Sequence, residues 1–544
     1  MTGATGATRQ RSTRRGPTHQ RPTHQRPTHQ RATSRRPTRR RAAALGLLVP
    51  LVVSALVASC SSDDDGAAAP DRPNILFIVT DDMTVDDLAA MPHVRDWLGD
   101  AGTSFTRAYV SVSLCCPART TMLRGQYAHN TGVLSNEGTN GGFPVAHRLG
   151  LERSTVATWL EGAGYRTGLI GKYLNLYPEG AGPTYVPPGW DEWSSPVLGN
   201  SGAGFDFTLN ENGRLVPYGR QPDDFASQVF VDRTARFVTD AAEAGDPFFA
   251  WLAVDAPHDP GGARPDDAAA AAELTAPRTA SFDQDDVSAA PAWVADLPHL
   301  TAGQEREIDD RYRHRQASLR SLDRELARLE QVLDDNGQLD DTYVVFTSDN
   351  GFHLGQHRLK AGKQSAFEED IAVPLLVSGP GVPRGETSDA LVADLDFAPT
   401  FADLAGADAP DFVDGRSLVD LWHDPGGPGP DRHAVLLEHW PPAFSAPGAG
   451  GTEQPGSQPV LNPEARGEGP APPEFQGVRT ARYTYVEYVT GEVELYDNTT
   501  DPDQLHNLAD TAPATLLADL ATLVADLGDC AGQACRDAEA TVVP

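Results

Sequence analysis

Cysteine is scarce in this chain, with five residues in 544 and no C-x-x-C pair among them. That scarcity excludes a disulfide-built scaffold and a cysteine zinc site. Cys530 and Cys535 stand close together near the end and could close a small loop outside the cell. Cys116 is expected to be a buried, inert thiol. Cations are also few. The chain carries 44 basic and 76 acidic side chains, and twelve of the basic ones are arginines in the first 59 residues, which hold no Asp or Glu. Without that segment 32 basic side chains face 76 acidic ones, a formal charge of −44. So acidic a surface excludes nucleic acid as a partner, because phosphates must be met by cations. It also disfavours adhesion to anionic polymers unless the active cleft is locally basic. Long apolar runs are rare too: Ala42–Val57 is too short and wrongly flanked for a membrane span, and the sequence shows no other.

The first 59 residues read as an export segment, to be kept apart from the fold. Pro-Thr-His-Gln-Arg occurs three times from Pro17 to Arg31. Its His19, His24 and His29 could bind a metal, but a low-complexity basic leader explains them more simply, since nothing around them can form a core. After Arg39-Arg40-Arg41 the apolar run ends in Val57-Ala58-Ser59-Cys60. That ending resembles a bacterial lipobox, which implies cleavage before Cys60, lipidation of its thiol and a tether to a membrane. The arginines permit a twin-arginine route. Residues 60–72 then read as a linker, 73–435 as the main domain, 436–475 as a Gly/Pro-rich loop and 476–544 as a small C-terminal α+β subdomain.

Short apolar runs punctuate the main domain: Asn74–Val79, Pro247–Val254, Thr342–Phe346 and Val373–Val377. Each suits a strand buried on both faces. Between two of them Leu319, Leu322, Leu326, Leu329 and Leu333 recur at helical spacing, and Asn336-Gly337 supplies a stop. Strands alternating with helices predict an α/β sandwich with a large, mostly parallel sheet. Farther on, Tyr483–Tyr488 and Val493–Tyr496 alternate with period two around Thr490-Gly491, as in an antiparallel hairpin. Leu516–Leu527 reads as an amphipathic helix.

Polar groups gather where the apolar runs stop, which is where open α/β sheets place their ligands. Asp81-Asp82 follows the first run, Gly171-Lys172 follows Leu169-Ile170, His258 follows the run through Trp251, and Asp349-Asn350-Gly351 follows the run through Phe346. Any one of these could be a turn or a cap; their joint occurrence points to a site. Asp81, Asp82, Asp349 and Asn350 offer only oxygen donors, a set that suits Ca²⁺, or Mg²⁺ as the alternative. So dense a carboxylate cluster repels itself without a cation. The acidic stretch from Asp266 to Asp296, with Trp293 in it, is expected to form a loop near the cleft.

One thirteen-residue stretch carries the chemistry: Ser113-Leu114-Cys115-Cys116-Pro117-Ala118-Arg119-Thr120-Thr121-Met122-Leu123-Arg124-Gly125. Its C-x-P-x-R core resembles the signature of the type I, formylglycine-dependent sulfatases, and the resemblance extends from about Asn74 to Asp529. Tyr127-Ala128-His129-Asn130, Gly171-Lys172-Tyr173-Leu174-Asn175, Gly351-Phe352-His353-Leu354-Gly355-Gln356 and the ending from Glu494 to Leu508 look most like the N-acetylglucosamine-6-sulfatase branch and its bacterial relatives. The Cys530/Cys535 pair resembles that branch as well. Leu174 stands where many arylsulfatases carry His, and Ala118 where many carry Ser.

The resemblance implies an alkaline-phosphatase-like sandwich with a small antiparallel C-terminal subdomain. It implies that Cys115 is converted to formylglycine by a formylglycine-generating enzyme before export. The hydrated aldehyde would coordinate a metal held by Asp81, Asp82, Asp349 and Asn350, and attack sulfur to give a covalent sulfoenzyme. Arg119 would orient the hydrate, Lys172 and Lys363 would balance charge on the sulfate oxygens, and Lys363 or His258 would protonate the leaving alcohol. The second hydroxyl then expels sulfate, a step that a serine ester could not perform. His353 could touch substrate or support its loop. The reading is an exported sulfatase acting on a carbohydrate O-sulfate, with glucosamine 6-O-sulfate the ester its branch implies, or on another small sulfate ester. It is anchored to a bacterial membrane through lipid only, or secreted. The alternatives are a phosphonate monoester or phosphodiester hydrolase of the same superfamily and an inactive surface binding protein.

Overall fold

The computed structural model describes residues 72–199, 201–444 and 471–543, so the leader, Cys60 and the middle of the Gly/Pro-rich stretch lie outside the described residues. The described part belongs to one compact unit. Its strands are, in chain order, β1 (Asn74–Asp81), β2 (Thr103–Phe105), β3 (Ala108–Tyr109), β4 (Arg166–Gly171), β5 (Glu192–Gly199) and β6 (Phe207–Glu211). They continue with β7 (Arg214–Tyr218), β8 (Phe248–Pro257), β9 (Thr342–Ser348), β10 (Leu375–Ser378), β11 (Glu386–Ser388) and β12 (Val392–Ala393). The last four are β13 (Ala434–His439), β14 (Phe475–Thr480), β15 (Tyr483–Tyr488) and β16 (Val493–Asp497).

Ten strands form one sheet in the order β11-β2-β10-β9-β1-β8-β4-β5-β6-β7. Its centre, β9-β1-β8-β4-β5, is parallel throughout. The sequence reading found the apolar runs of β1, β8 and β9 but not that the run in β10 would lie antiparallel to β9. Every residue of β1 is buried, because helices cover both faces. Ile75, Phe77 and Val79 point to one layer, where Phe77 meets Trp251, Phe397 and Phe401 with ring centroids about 5 Å apart. Leu76 and Ile78 point to the other, where the leucine stripe of the helix Ala302–Asp335 packs. That helix starts on a capping box between Thr301 and Gln304 and stops at Asn336, with Gly337 beyond it at φ 65°.

The second sheet is antiparallel, β13-β14-β15-β16. The β15–β16 hairpin matches the alternation in the sequence. The stretch 436–475 read as a Gly/Pro-rich loop instead begins within β13 and ends at the first residue of β14, and these two strands pair with each other. The helix Ala514–Gly528 lays Leu520, Leu523, Val524 and Leu527 against this sheet. Cys530 and Cys535 are joined in a disulfide. The Tyr127–Asn130 motif docks the C-terminal segment. His129 Nδ1 lies 2.8 Å from Glu438 Oε1 and its Nε2 3.0 Å from the Cys530 carbonyl, which also accepts from Asn130. No helix of the described residues is long and apolar enough to cross a membrane.

Glu494, buried in β16, accepts hydrogen bonds from the Tyr488 and Tyr496 hydroxyls at 2.8 and 3.0 Å. Burial outweighs those bonds and pushes its carboxyl from 4.5 up to about 7. A carboxyl raised in the folded state adds stability that is full below the unfolded value and lost as pH rises through the folded one. Glu494→Gln should therefore flatten the fall in unfolding free energy between those two pH values by about 3 kcal/mol, read by urea denaturation at each end of the interval.

Candidate active site

The neighbours β9, β1, β8 and β4 run parallel, so their carboxyl ends open on one side of the sheet. The residues immediately following them are Asp349, Asp82, His258 and Lys172. Topology alone therefore collects four chemistry-bearing positions separated widely in the chain. The turn after β4 requires glycine, because Gly171 has φ 110° and a Cβ there would lie 1.8 Å from the Ala253 carbonyl oxygen. That close approach lets the Lys172 amide donate to the same oxygen at 2.9 Å.

The helix Cys115–Arg124 is buried along its whole length and begins beside these strand ends. Leu114 enters in extended conformation, Asn136 Oδ1 accepts from the Cys116 amide at 2.8 Å, and Gly125 ends the helix in the left-handed region. Cys115 occupies its first turn, where Lys363 Nζ donates to its sulfur at 2.8 Å and the thiol lies 3.5 Å from Asp81 Oδ1. Arg119, four residues on, faces the same way. Its Nε donates to Asp349 Oδ2 at 2.7 Å, one terminal nitrogen donates to the Lys172 carbonyl at 2.9 Å, and the other lies 3.6 Å from Asp81 Oδ2. Lys172 pairs with Asp81, and Lys363 with Asp82.

Asp81, Asp82, Cys115 and Asp349, all buried, each place one donor atom so that all four atoms lie within 4.8 Å of one another. Asn350 Nδ2 donates to Asp82 Oδ1 at 2.6 Å, while Asn350 Oδ1 is buried with no hydrogen-bond partner. An orphaned amide oxygen beside three carboxyl groups suits a hard divalent cation. Burial alone would raise the Asp81 carboxyl, but Lys172, His258, Arg119 and Lys363 outweigh it and hold the group far below the usual carboxylate range. For Lys172 burial works against the charge, yet Asp81 holds the ammonium above its ordinary value. Burial pushes the Cys115 thiol well up, and a neutral thiol is a weak nucleophile and a weak ligand.

The loop carrying Lys363 is stapled from below. His353 and Gly362 exchange two backbone hydrogen bonds, and His353 Nδ1 lies 2.9 Å from Asp370 Oδ1. Asp370 also accepts from the Ser365 amide at 2.9 Å and its hydroxyl at 2.6 Å, and the Ser113 hydroxyl donates to the Ser365 carbonyl at 2.8 Å. Thus His353 supports the loop, and Ser113 ties it to the segment before Cys115. The stretch 266–296 packs on the neighbouring part of this loop, with the Asp283 amide bonded to the Gly355 carbonyl and the His357 amide to that of Ser281. Its helical turns are Pro265–Ala271 and Ala292–Ala295.

The structure thus brings Asp81, Asp82, Cys115, Arg119, Lys172, Asp349, Asn350 and Lys363 into one contact network. His258 stands at its half-buried edge, with Nδ1 2.7 Å from the Asp259 carbonyl. Leu174 is core. Asn136, Ser365 and Asp370 are contributors that sequence reasoning missed. Asp370 closes an acidic run, Glu368-Glu369-Asp370, that looks like solvated surface, and nothing in the chain announces that it is fully buried.

A model described as Sulfatase matches residues 73–407. The chain belongs to this family: it is a sulfatase, a sulfuric ester hydrolase, with an alkaline-phosphatase-like fold. Among its relatives, human N-acetylglucosamine-6-sulfatase is 31% identical over 516 residues, 90% of this chain and 90% of that one. The extracellular sulfatase SULF-1 homolog of Drosophila melanogaster is 32% identical over 407 residues, 72% of this chain. Those residues span only 34% of the Drosophila protein. Among solved structures, one in complex with its substrate D-glucosamine-2-N,6-O-disulfate superposes with a TM-score of 0.67 at 22% identity, covering 86% of this chain and 98% of that one. The phosphonate monoester hydrolase of Silicibacter pomeroyi gives 0.61 at 23% identity, covering 83% and 94%. At these identities the two structures speak for the fold.

Asp370→Ala orphans three donors and frees the Lys363 loop. The variant should lose about 2–4 kcal/mol of stability and at least about tenfold in turnover of an aryl sulfate. Thermal unfolding and steady-state kinetics at a temperature where the variant stays folded check the two effects separately.

Proposed function

We propose that this sulfatase removes O-sulfate from carbohydrate, with glucosamine 6-O-sulfate as the favoured substrate, through formylglycine at position 115 and a divalent cation. The observation that carries the reading is Cys115 itself. Its sulfur is buried at the head of a helix, 2.8 Å from a lysine ammonium and 3.5 Å from Asp81, in surroundings that keep a thiol neutral and idle. Conversion to formylglycine, whose hydrate offers one hydroxyl to attack sulfur and a second to expel sulfate, gives that position a purpose. The substrate class is supported by the human relative, named for N-acetylglucosamine 6-sulfate chemistry and matched along nine-tenths of both chains.

Asp81, Asp82, Asp349 and Asn350 are the proposed cation ligands, together with the modified residue 115. Ca²⁺ is preferred over Mg²⁺ because it tolerates an irregular all-oxygen set. The cation would contribute positive charge toward the sulfate oxygens and make a hydroxyl more acidic. Three carboxyl groups (Asp81, Asp82, Asp349) and three cationic side chains (Arg119, Lys172, Lys363) give the ring no formal net charge. A bound divalent ion then leaves it positive by two, the field an anionic sulfate monoester needs on so acidic a protein. Arg119, fixed by Asp349, would hold residue 115 in orientation. Lys172 and Lys363, two of only three lysines in the chain, would face the sulfate oxygens. Lys363 and His258 are the candidates to protonate the departing alcohol.

The leader and the extracellular relative support export. Modification by a formylglycine-generating enzyme would precede it, and a lipid on Cys60 would supply the only membrane contact.

Mass spectrometry of the peptide carrying Cys115, from protein made in its native host, should show sulfur and two hydrogens lost and one oxygen gained. Cys115→Ala should abolish aryl sulfate hydrolysis while the fold survives. A fully unmodified thiol in freshly exported protein would sink the mechanism. Faster turnover of an aryl phosphonate monoester than of the matching sulfate would instead favour the phosphonate hydrolase reading.

Stripping divalent ions should lower the melting temperature, and Ca²⁺ at about 100 times its dissociation constant should restore about 2.7 kcal/mol. Asp349→Asn should blunt that recovery. Calorimetric scans with and without Ca²⁺ measure both.

A further inference from the structure

Arg315 projects from the long helix Ala302–Asp335 and is 1% exposed. One terminal nitrogen donates to the Asp82 carbonyl at 2.5 Å and to Asp87 Oδ2 at 2.7 Å. Its guanidinium carbon lies 4.5 Å from the centroid of the Phe352 ring. Asp82 and Asn350 are proposed cation ligands from two different strand ends, and Phe352 follows Asn350 by two residues. A single side chain therefore grips both acid-bearing turns from behind.

The turn at Asp82 needs such a grip. Its φ is 68°, a left-handed conformation uncommon for a residue with a Cβ. Asp87 is held in turn by Gln316 Nε2 at 2.6 Å and by the Thr84 amide at 3.2 Å. The Asp82 amide donates to Asp349 Oδ1 at 3.2 Å and the Met83 amide to Ser348 Oγ at 2.9 Å, so the two turns also touch directly. Asp87 neutralises Arg315 within the clamp, which adds no formal net charge next to the ligands. A planar guanidinium can bond two acceptors in its plane while stacking on a ring; a lysine ammonium has the charge but no flat face to lay on Phe352.

We propose that Arg315 is a positioning residue that sets the divalent-cation affinity of the site by fixing the Asp82 turn against the Asn350–Phe352 turn; this rests on the cation reading above. It touches neither the cation nor substrate, and works by ordering ligands, as outer-shell partners of metal sites do.

The test is calorimetric titration of Ca²⁺ into metal-stripped full-length protein. Arg315→Lys should raise the dissociation constant about 10–100-fold, although it keeps the charge. Phe352→Leu, which keeps apolar bulk and removes the ring face, should raise it severalfold. Arg264→Lys, which disturbs the contact with Glu325 on the same helix, should lower the melting temperature and leave Ca²⁺ affinity alone. Circular dichroism of the metal-free proteins establishes that each is folded. A folded Arg315→Lys binding Ca²⁺ within about twofold of the parent would overturn the proposal. Should that variant fail to fold, unchanged affinity in Phe352→Leu overturns it instead. Absence of Ca²⁺ binding by the parent protein itself would defeat the cation reading, an outcome separate from the failure of Arg315 alone.

Discussion

Three buried carboxyl groups crowded together cannot persist without cations, and that constraint organises the centre of this molecule. Asp81, Asp82 and Asp349 are all fully buried, and carboxylates in so dry a place are costly unless cations meet them. Arg119, Lys172 and Lys363 meet them from a helix, a strand end and a loop, so the fold must deliver three separate segments to one point for charge to balance. The parallel order β9-β1-β8-β4 brings the strand ends together. The glycine-dependent turn after β4 brings Lys172 against Asp81. The helix from Cys115 brings Arg119 and, at its head, the residue proposed to do the chemistry.

Holding those groups in place falls to side chains that carry no charge toward the centre. Asp370 spends its carboxyl on His353 and Ser365, which fixes the loop bearing Lys363. Ser113 links that loop to the segment entering the Cys115 helix. Arg315 and Asp87 neutralise each other behind the Asp82 turn. Such partners make a constellation rigid, and rigidity is what turns nearby charges into a preorganised site.

The charge-balanced ring, once it holds the proposed cation, would account for how an acidic protein acts on an anion. Away from the leader the chain is strongly negative, and most of that charge is ordinary solvated surface. Lys172, Lys363 and Arg119 offset the three buried carboxyl groups at the centre, and the proposed divalent cation would make the local field there positive. On the proposed reading the same contrast would favour short or sparsely charged sulfate esters over long polyanions, which would have to lie across the acidic exterior.

Much of this was legible in the chain because it is local. Continuous apolar runs mark β1, β8 and β9, since a strand covered on both faces has no polar side to show. The leucine stripe marks the long helix, period-two alternation marks the β15–β16 hairpin, and the polar residues just beyond each run mark where a ligand would sit. Cys115 and Arg119 were readable as a pair through the resemblance of C-x-P-x-R to a known signature, and the helix Cys115–Arg124 sets them one turn apart. What remained hidden depends on distance along the chain. Arg315 reaches Asp82 across 233 residues and Ser113 reaches Ser365 across 252; no periodicity or spacing encodes such contacts. The antiparallel run of β10, the recruitment of β13 to the C-terminal sheet and the burial of Asp370 in an acidic run belong to the same class. Each depends on which surfaces meet when the layers close, a packing outcome that local propensity and pattern do not contain.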